Sequence, residues 1–202
     1  MTISILGAGA FGTSLAIALA QKTAVTLWAR NAEHAAEMQS DRINKRRLPN
    51  APFPKDLKIS SSISEATKSK VILVAVPMQL LGGFLDENAQ ILAGKKLVAC
   101  CKGIDRATSS GPIDLIITKV PTALAAVLTG PSFAVDIARG MPTALSIACA
   151  DEALCTALQS QLSTPALRLY RTTDIVGAQL GGALKNVIAI ACGAVMGAGL
   201  GE

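Results

Sequence analysis

Three glycines near the start of the chain constrain its fold more than any other feature. Residues 3–20 read ISILGAGAFGTSLAIALA, which places Gly7, Gly9 and Gly12 in a GxGxxG spacing between a short apolar run and a longer Ala- and Leu-rich one. A strand that turns sharply into a helix needs this pattern. Gly7 permits the turn, Gly9 lets a pyrophosphate approach the backbone, and Gly12 lets helix and strand pack closely. The helix then offers free N–H groups and its positive dipole end to an anion. A second apolar run at 25–28 completes a βαβ unit, and in that context the spacing reads as a dinucleotide site rather than a bare turn.

Further strand-like runs stand at 71–76, 97–101 and 125–128, with Thr143–Ala148 and 167–170 as two more. Helical candidates between them include 12–21, 33–41, 64–68 and 151–162. This alternation predicts an α/β fold with a Rossmann-like, doubly wound and mostly parallel sheet. Half the residues are hydrophobic but only 3% are aromatic. Ala, Val, Ile, Leu and Gly must therefore fill the interior, as they do in sheets buried on both faces. Residues 44–58, with three prolines and a basic cluster, read as a long surface loop. Beyond Tyr170 the strand pattern stops, and residues 174–198 follow helical spacing behind Asp174 as a cap. Residues 1–172 are thus expected to form the nucleotide-binding domain, and 173–202 the first helix of an all-α domain. Gly201 and Glu202 lie within an apolar segment, so that second domain is expected to be truncated.

A net charge of +5, carried by scattered Lys and Arg, suits an anionic small molecule. Arg42, Lys45, Arg46 and Arg47, with Phe53 as their one aromatic neighbour, read as a solvated loop rather than a nucleic-acid patch. The cysteines at 100, 101, 149, 155 and 192 have no CxxC spacing, and His34 is remote from them. Neither a metal site nor a disulfide framework is expected. The cysteines read as small buried hydrophobes in a reducing, cytoplasmic setting. No basic segment precedes the first apolar run, so no signal peptide is expected. The longest apolar stretch, 187–200, has 14 residues, too few to span a bilayer.

Ligands of such sheets bind beyond the carboxyl ends of the strands. Dinucleotide folds usually place an acid after the second strand to hold the ribose hydroxyls; here VTLWARN puts Arg30 there. A guanidinium pairs with the 2′-phosphate of NADP, so Arg30 favours NADPH, or tolerance of NAD and NADP alike. Other strand ends deliver Pro77-Met78-Gln79, Lys102-Gly103, and Thr129-Gly130-Pro131-Ser132-Phe133-Ala134. The last suits an oxyanion or phosphate at a helix start. Lys185 sits in a predicted helix among small and apolar residues, beside Asn186 and after Gly181 and Gly182. Burying a lysine is costly, so such a residue needs a partner or a task.

Together these motifs resemble the bacterial-type NAD(P)-dependent glycerol-3-phosphate dehydrogenases. The resemblance rests on GAGAFGTSLA at 7–16, LWAR at 27–30, VP-x-Q at 76–79, KGI at 102–104, GPSFA at 130–134, G-x-PTA at 140–144 and GGALKNVIAIA at 181–191. It implies reversible hydride transfer between the nicotinamide and dihydroxyacetone phosphate, giving sn-glycerol 3-phosphate for phospholipid synthesis. It implies that Lys185 and Lys102 are catalytic, and that Lys102, Gly130, Ser132 and Lys185 meet the substrate. Ala10, Phe11, Arg30, Lys102 and Ala134 would join the glycines against the cofactor. Gln179 and Asp136 each stand where the family commonly has Glu. Family members continue into a helical domain that completes the substrate site. The chain alone is therefore expected to be inactive, and to associate with itself through the segment after Asp174. The alternatives are another two-domain dehydrogenase, such as a ketopantoate reductase or a 6-phosphogluconate-type enzyme, and a non-catalytic NAD(P)-binding module.

Overall fold

In a computed structural model, which describes residues 2–200, the chain forms an eight-stranded sheet with helices on both faces. The first βαβ unit is β1 (Thr2–Leu6), α1 (Ala10–Ala20) and β2 (Ala24–Trp28). Then come α2 (Ala32–Asp41), a two-stranded hairpin of β3 (Ile43–Asn44) and β4 (Leu48–Pro52), β5 (Leu57–Ser60) and α3 (Ile63–Ala66). The second half runs β6 (Val71–Val74), α4 (Met78–Leu92), β7 (Lys96–Ala99), α5 (Pro112–Lys119) and β8 (Leu124–Thr129). It closes with α6 (Ala134–Ala138), β9 (Thr143–Ala148), α7 (Glu152–Leu162), β10 (Leu167–Thr172) and α8 (Ile175–Gly197).

The large sheet has the order β10-β9-β8-β7-β6-β1-β2-β5 and is parallel except where β8 meets β9. Period-two alternation divides its side chains between two cores. Ile3, Ile5, Leu73 and Val98 pack on one face with Leu15 and Leu19 of α1. Leu6, Ile72, Val74 and Leu97 pack on the other with Leu81 and Leu85 of α4 and Ile116 of α5. Register aligns Leu6 with Val74, Val74 with Ala99, and Ala99 with Val127. The loops that follow these four strands therefore open on one edge of the sheet.

Two expectations need correction. Residues 44–58 are more than a surface loop: they complete the hairpin and provide edge strand β5, and Leu48, Ala51, Phe53 and Leu57 are buried. The prolines misled because they usually break strands, yet Pro49 and Pro52 lie in a two-stranded ribbon with few ladder bonds to lose. Helices α4 and α5 add to the helical candidates: Gly82 and Gly83 dilute the apolar pattern of the first without breaking the helix, and the second has only 8 residues. The apolar stretch at 187–200 belongs to a longer helix. Starting at Ile175, α8 has 23 residues, and by length and composition alone it could cross a membrane. It has no buried residue and meets the sheet mainly at β8 and β9. The expected abrupt ending at Gly201 and Glu202 lies outside the described residues.

Candidate active site

The glycine loop is built as its spacing requires. Gly7 has φ +123°, and a Cβ there would lie 2.6 Å from the Ala75 carbonyl oxygen. A Cβ on Gly12 would lie 2.0 Å from the Gly7 oxygen and 3.0 Å from the Ala75 Cβ. Gly12 thus lets α1 close onto the turn itself. Gly9 caps α1 without any side-chain hydrogen bond, and nothing lies within 4 Å of where its Cβ would be. The helix end accordingly offers free backbone N–H groups to open space, which fits a pyrophosphate. Ala10 and Phe11 form the first turn of α1 and are half-buried. Arg30 is exposed just beyond β2 and forms no ion pair or hydrogen bond among the described residues, so its guanidinium is available to a phosphate. Ala134 opens α6 and packs against the same core as α1.

Lys102 follows β7 at the same edge. Its Nζ donates to the Gly130 carbonyl at 3.0 Å and lies 5.3 Å from the centre of the Phe11 ring. One ammonium thus links the cofactor helix to the loop after β8. Burial holds its pKa below the ordinary lysine value, and the Lys185 charge lowers it further. Lys185 is half-buried on α8. Gly182, one turn earlier, brings α8 against the strand end: a Cβ there would lie 2.6 Å from Thr129 Oγ1 and 3.8 Å from Lys102 Cγ. Asp174 caps α8 by accepting from the Gly177 N–H at 2.8 Å. Gln179 accepts from the Ile113 N–H at 2.9 Å, tying α8 to the start of α5. A carboxamide oxygen serves there as well as a carboxylate would.

Two hydroxyls at this site have no partner. Thr129 Oγ1 and Ser132 Oγ, on either side of Gly130, are buried without a hydrogen bond. Buried polar groups are rarely left so, and the two mark the loop around Gly130 as a place where hydrogen-bonding capacity is unused. Ser132 is among the residues the sequence places at the site; Thr129 joins it as the last residue of β8. Gln79, just beyond the end of another strand, holds the loop after Lys102, donating to the Ile104 carbonyl at 2.8 Å and accepting from the Arg106 N–H at 3.1 Å.

The basic cluster at 42–47 is largely engaged. Arg42 donates to the carbonyls of Pro54, Lys55 and Leu57, Lys45 pairs with Asp41, and Arg46 pairs with Glu37. Cys100, Cys101, Cys149 and Cys155 are buried, as expected, whereas Cys192 on α8 is exposed. Burial pushes the Cys101 thiol up to about 11 and raises the other three as well. None of these four offers a ready thiolate.

Comparison with known proteins agrees with this geometry. The family profile described as NAD-dependent glycerol-3-phosphate dehydrogenase N-terminus matches residues 2–155, and the corresponding C-terminus profile matches 174–202. The chain is 57% identical over 202 residues to a glycerol-3-phosphate dehydrogenase [NAD(P)+] of Ruegeria sp. (strain TM1040), aligning with all of this chain and 63% of that one. A protein of the same description from Roseobacter denitrificans is 55% identical over the same shares. The crystal structure of glycerol-3-phosphate dehydrogenase from Coxiella burnetii superposes with a TM-score of 0.90 at 33% identity, over 100% of this chain and 62% of that one. The chain thus spans a little under two thirds of the length of these relatives.

Proposed function

Because the chain belongs to the NAD-dependent glycerol-3-phosphate dehydrogenase family, we propose that it is the nucleotide-binding part of an enzyme that interconverts dihydroxyacetone phosphate and sn-glycerol 3-phosphate with NADH or NADPH. The product would feed glycerophospholipid synthesis. In this reading residues 1–172 hold the dinucleotide and 173–202 begin the helical substrate domain. The observation that carries it is the placement of Lys102, bound to the Gly130 carbonyl and facing Phe11, beside the open glycine loop and within electrostatic reach of Lys185.

When bound, the reduced nicotinamide supplies a hydride. The residues of the chain do the rest. The N–H groups at the start of α1 hold the pyrophosphate, Ala10, Phe11 and Ala134 border the cofactor, and Arg30 pairs with a 2′-phosphate where one is present. A ketone that accepts hydride gathers negative charge on its oxygen, which an ammonium stabilises and then protonates. Lys185 is assigned that proton and Lys102 the stabilising charge. Gly130, Ser132 and Lys102 border the substrate, and the unpaired Ser132 hydroxyl is a ready donor to it. A cytoplasmic setting belongs to the same proposal and is supported by five unpaired thiols.

The test uses this chain and a version extended to the length of its relatives. Both should enhance the fluorescence of NADPH on binding. The extended protein should oxidise NADPH when given dihydroxyacetone phosphate but not ketopantoate, and the 202-residue chain should show almost no turnover. Cofactor binding without turnover in the extended protein would favour a cofactor-binding module instead. Robust turnover by the short chain would overturn the expectation that the extension supplies substrate groups.

A further inference from the structure

The hairpin of β3 and β4 carries one polar side chain fully inside the molecule. Asn44 has no exposed surface. Its Nδ2 donates to the Ala8 carbonyl at 3.0 Å and to Thr13 Oγ1 at 2.9 Å. Its Oδ1 lies 3.1 Å from His34 Nε2 and accepts from the Arg47 N–H at 3.2 Å. Both donors and both acceptor sites of the carboxamide are therefore used. An amide is costly to bury even when so well bonded, and an apolar residue would fill a merely structural position more simply.

What Asn44 holds is the glycine loop. Ala8 lies between Gly7 and Gly9, and there are no cis peptide bonds among the described residues. In a planar trans peptide the carbonyl and the N–H point in opposite directions. Anchoring the Ala8 carbonyl inward on Asn44 therefore aims the Gly9 N–H outward. Nothing lies within 4 Å of where a Gly9 Cβ would be, and no hydrogen bond among the described residues uses this N–H. Glycine on either side would otherwise let the Ala8–Gly9 peptide rotate freely. The second Nδ2 bond fixes the first turn of α1, because the Thr13 N–H in turn donates to the Gly9 carbonyl at 2.9 Å.

We propose that Asn44 is a positioning residue of the dinucleotide site, aiming the Gly9 amide at the pyrophosphate from a hairpin outside the main sheet. It touches neither cofactor nor substrate. The proposal rests on reading the glycine loop as a dinucleotide site.

Asn44→Asp keeps the acceptor oxygens but removes both donors, and Leu48→Ala loosens the same hairpin without removing any hydrogen bond to the loop. NADPH would be titrated into each variant and the wild-type chain, well below every melting transition. Asn44→Asp should bind NADPH at least tenfold more weakly, while Leu48→Ala stays within twofold of wild type whatever its loss in melting temperature. A folded Asn44→Asp chain with wild-type affinity would overturn the proposal, as would an equal loss in Leu48→Ala. NMR of the wild-type chain gives a test independent of variant folding. The Gly9 amide proton should move downfield on NADPH binding while the Asn44 side-chain NH₂ stays in place; a Gly9 amide that does not respond refutes the proposal. A wild-type chain that binds neither NADPH nor NADH would overturn the dinucleotide reading and this proposal with it, an outcome visible before any variant is made.

Discussion

Lys102 and Lys185 share one site, and their charges oppose each other. The pKa of Lys102 is lowered first by burial and second by the neighbouring Lys185 charge. Removing Lys185 should therefore let the pKa of Lys102 rise, though burial would still hold it below an ordinary lysine. If Lys102 acts as an ammonium, activity at high pH is lost as it deprotonates. In the extended enzyme the alkaline limb of kcat/KM should thus move to higher pH in Lys185→Ala. Its turnover should fall by at least ~10²-fold, the low end for general acid–base catalysis. Lys102→Ala should raise KM as well as slow turnover. Steady-state kinetics across pH, alongside melting curves, separates these effects; an active but merely destabilised Lys185→Ala enzyme would place the proton donor elsewhere. At this scale the sequence was most legible where a residue type has few other uses, as with the three glycines and a lysine among apolar neighbours. Thr129 and Asn44 gave no such signal. The unpaired Thr129 hydroxyl shows only against Gly182, and the Ala8 partner of Asn44 lies 36 residues away.

Whole elements follow from how their faces are covered. The central strands were readable because they are buried on both sides, so that nearly every residue is apolar and the run stands out. Their ends were misjudged by a residue or two, where turn residues replace the pattern. The edge strand β5 and the β3–β4 hairpin were hidden by prolines, although the hairpin carries the residue that holds the glycine loop. Helix α1 shows how tightly two elements can depend on one position. Gly12→Ala would press a methyl to within 2.0 Å of the Gly7 oxygen unless α1 or the turn moved. Overpacking of this kind costs about 1–3 kcal/mol, and more where only backbone can yield. Gly12→Ala should melt at a lower temperature and also bind NADPH weakly, because the move displaces the N–H groups at the helix start. Calorimetry and a cofactor titration check both. A destabilised variant with wild-type affinity would mean that the loop tolerates the shift.

At the scale of the molecule, α8 is the least covered element, with no buried residue. Val176, Val187, Ile188, Ile190 and Met196 are each at least 60% exposed along it. Apolar surface on this scale marks an interface. The 202-residue chain should therefore associate in solution in a concentration-dependent way, and the extended protein should bury the same face and show less of this behaviour. Light scattering on the two lengths decides it; a clean monomer of the short chain at high concentration would refute the expectation. The order of the main sheet has a consequence for how the chain is made. Strand β2 joins β1, and β5 joins β2; afterwards β6, β7, β8, β9 and β10 each add to the opposite edge in the order in which they are synthesised. No strand has to be inserted between two that are already paired. As the ribosome releases the chain from its N-terminus, each new strand finds its template already exposed, and the sheet can grow outward at the pace of translation.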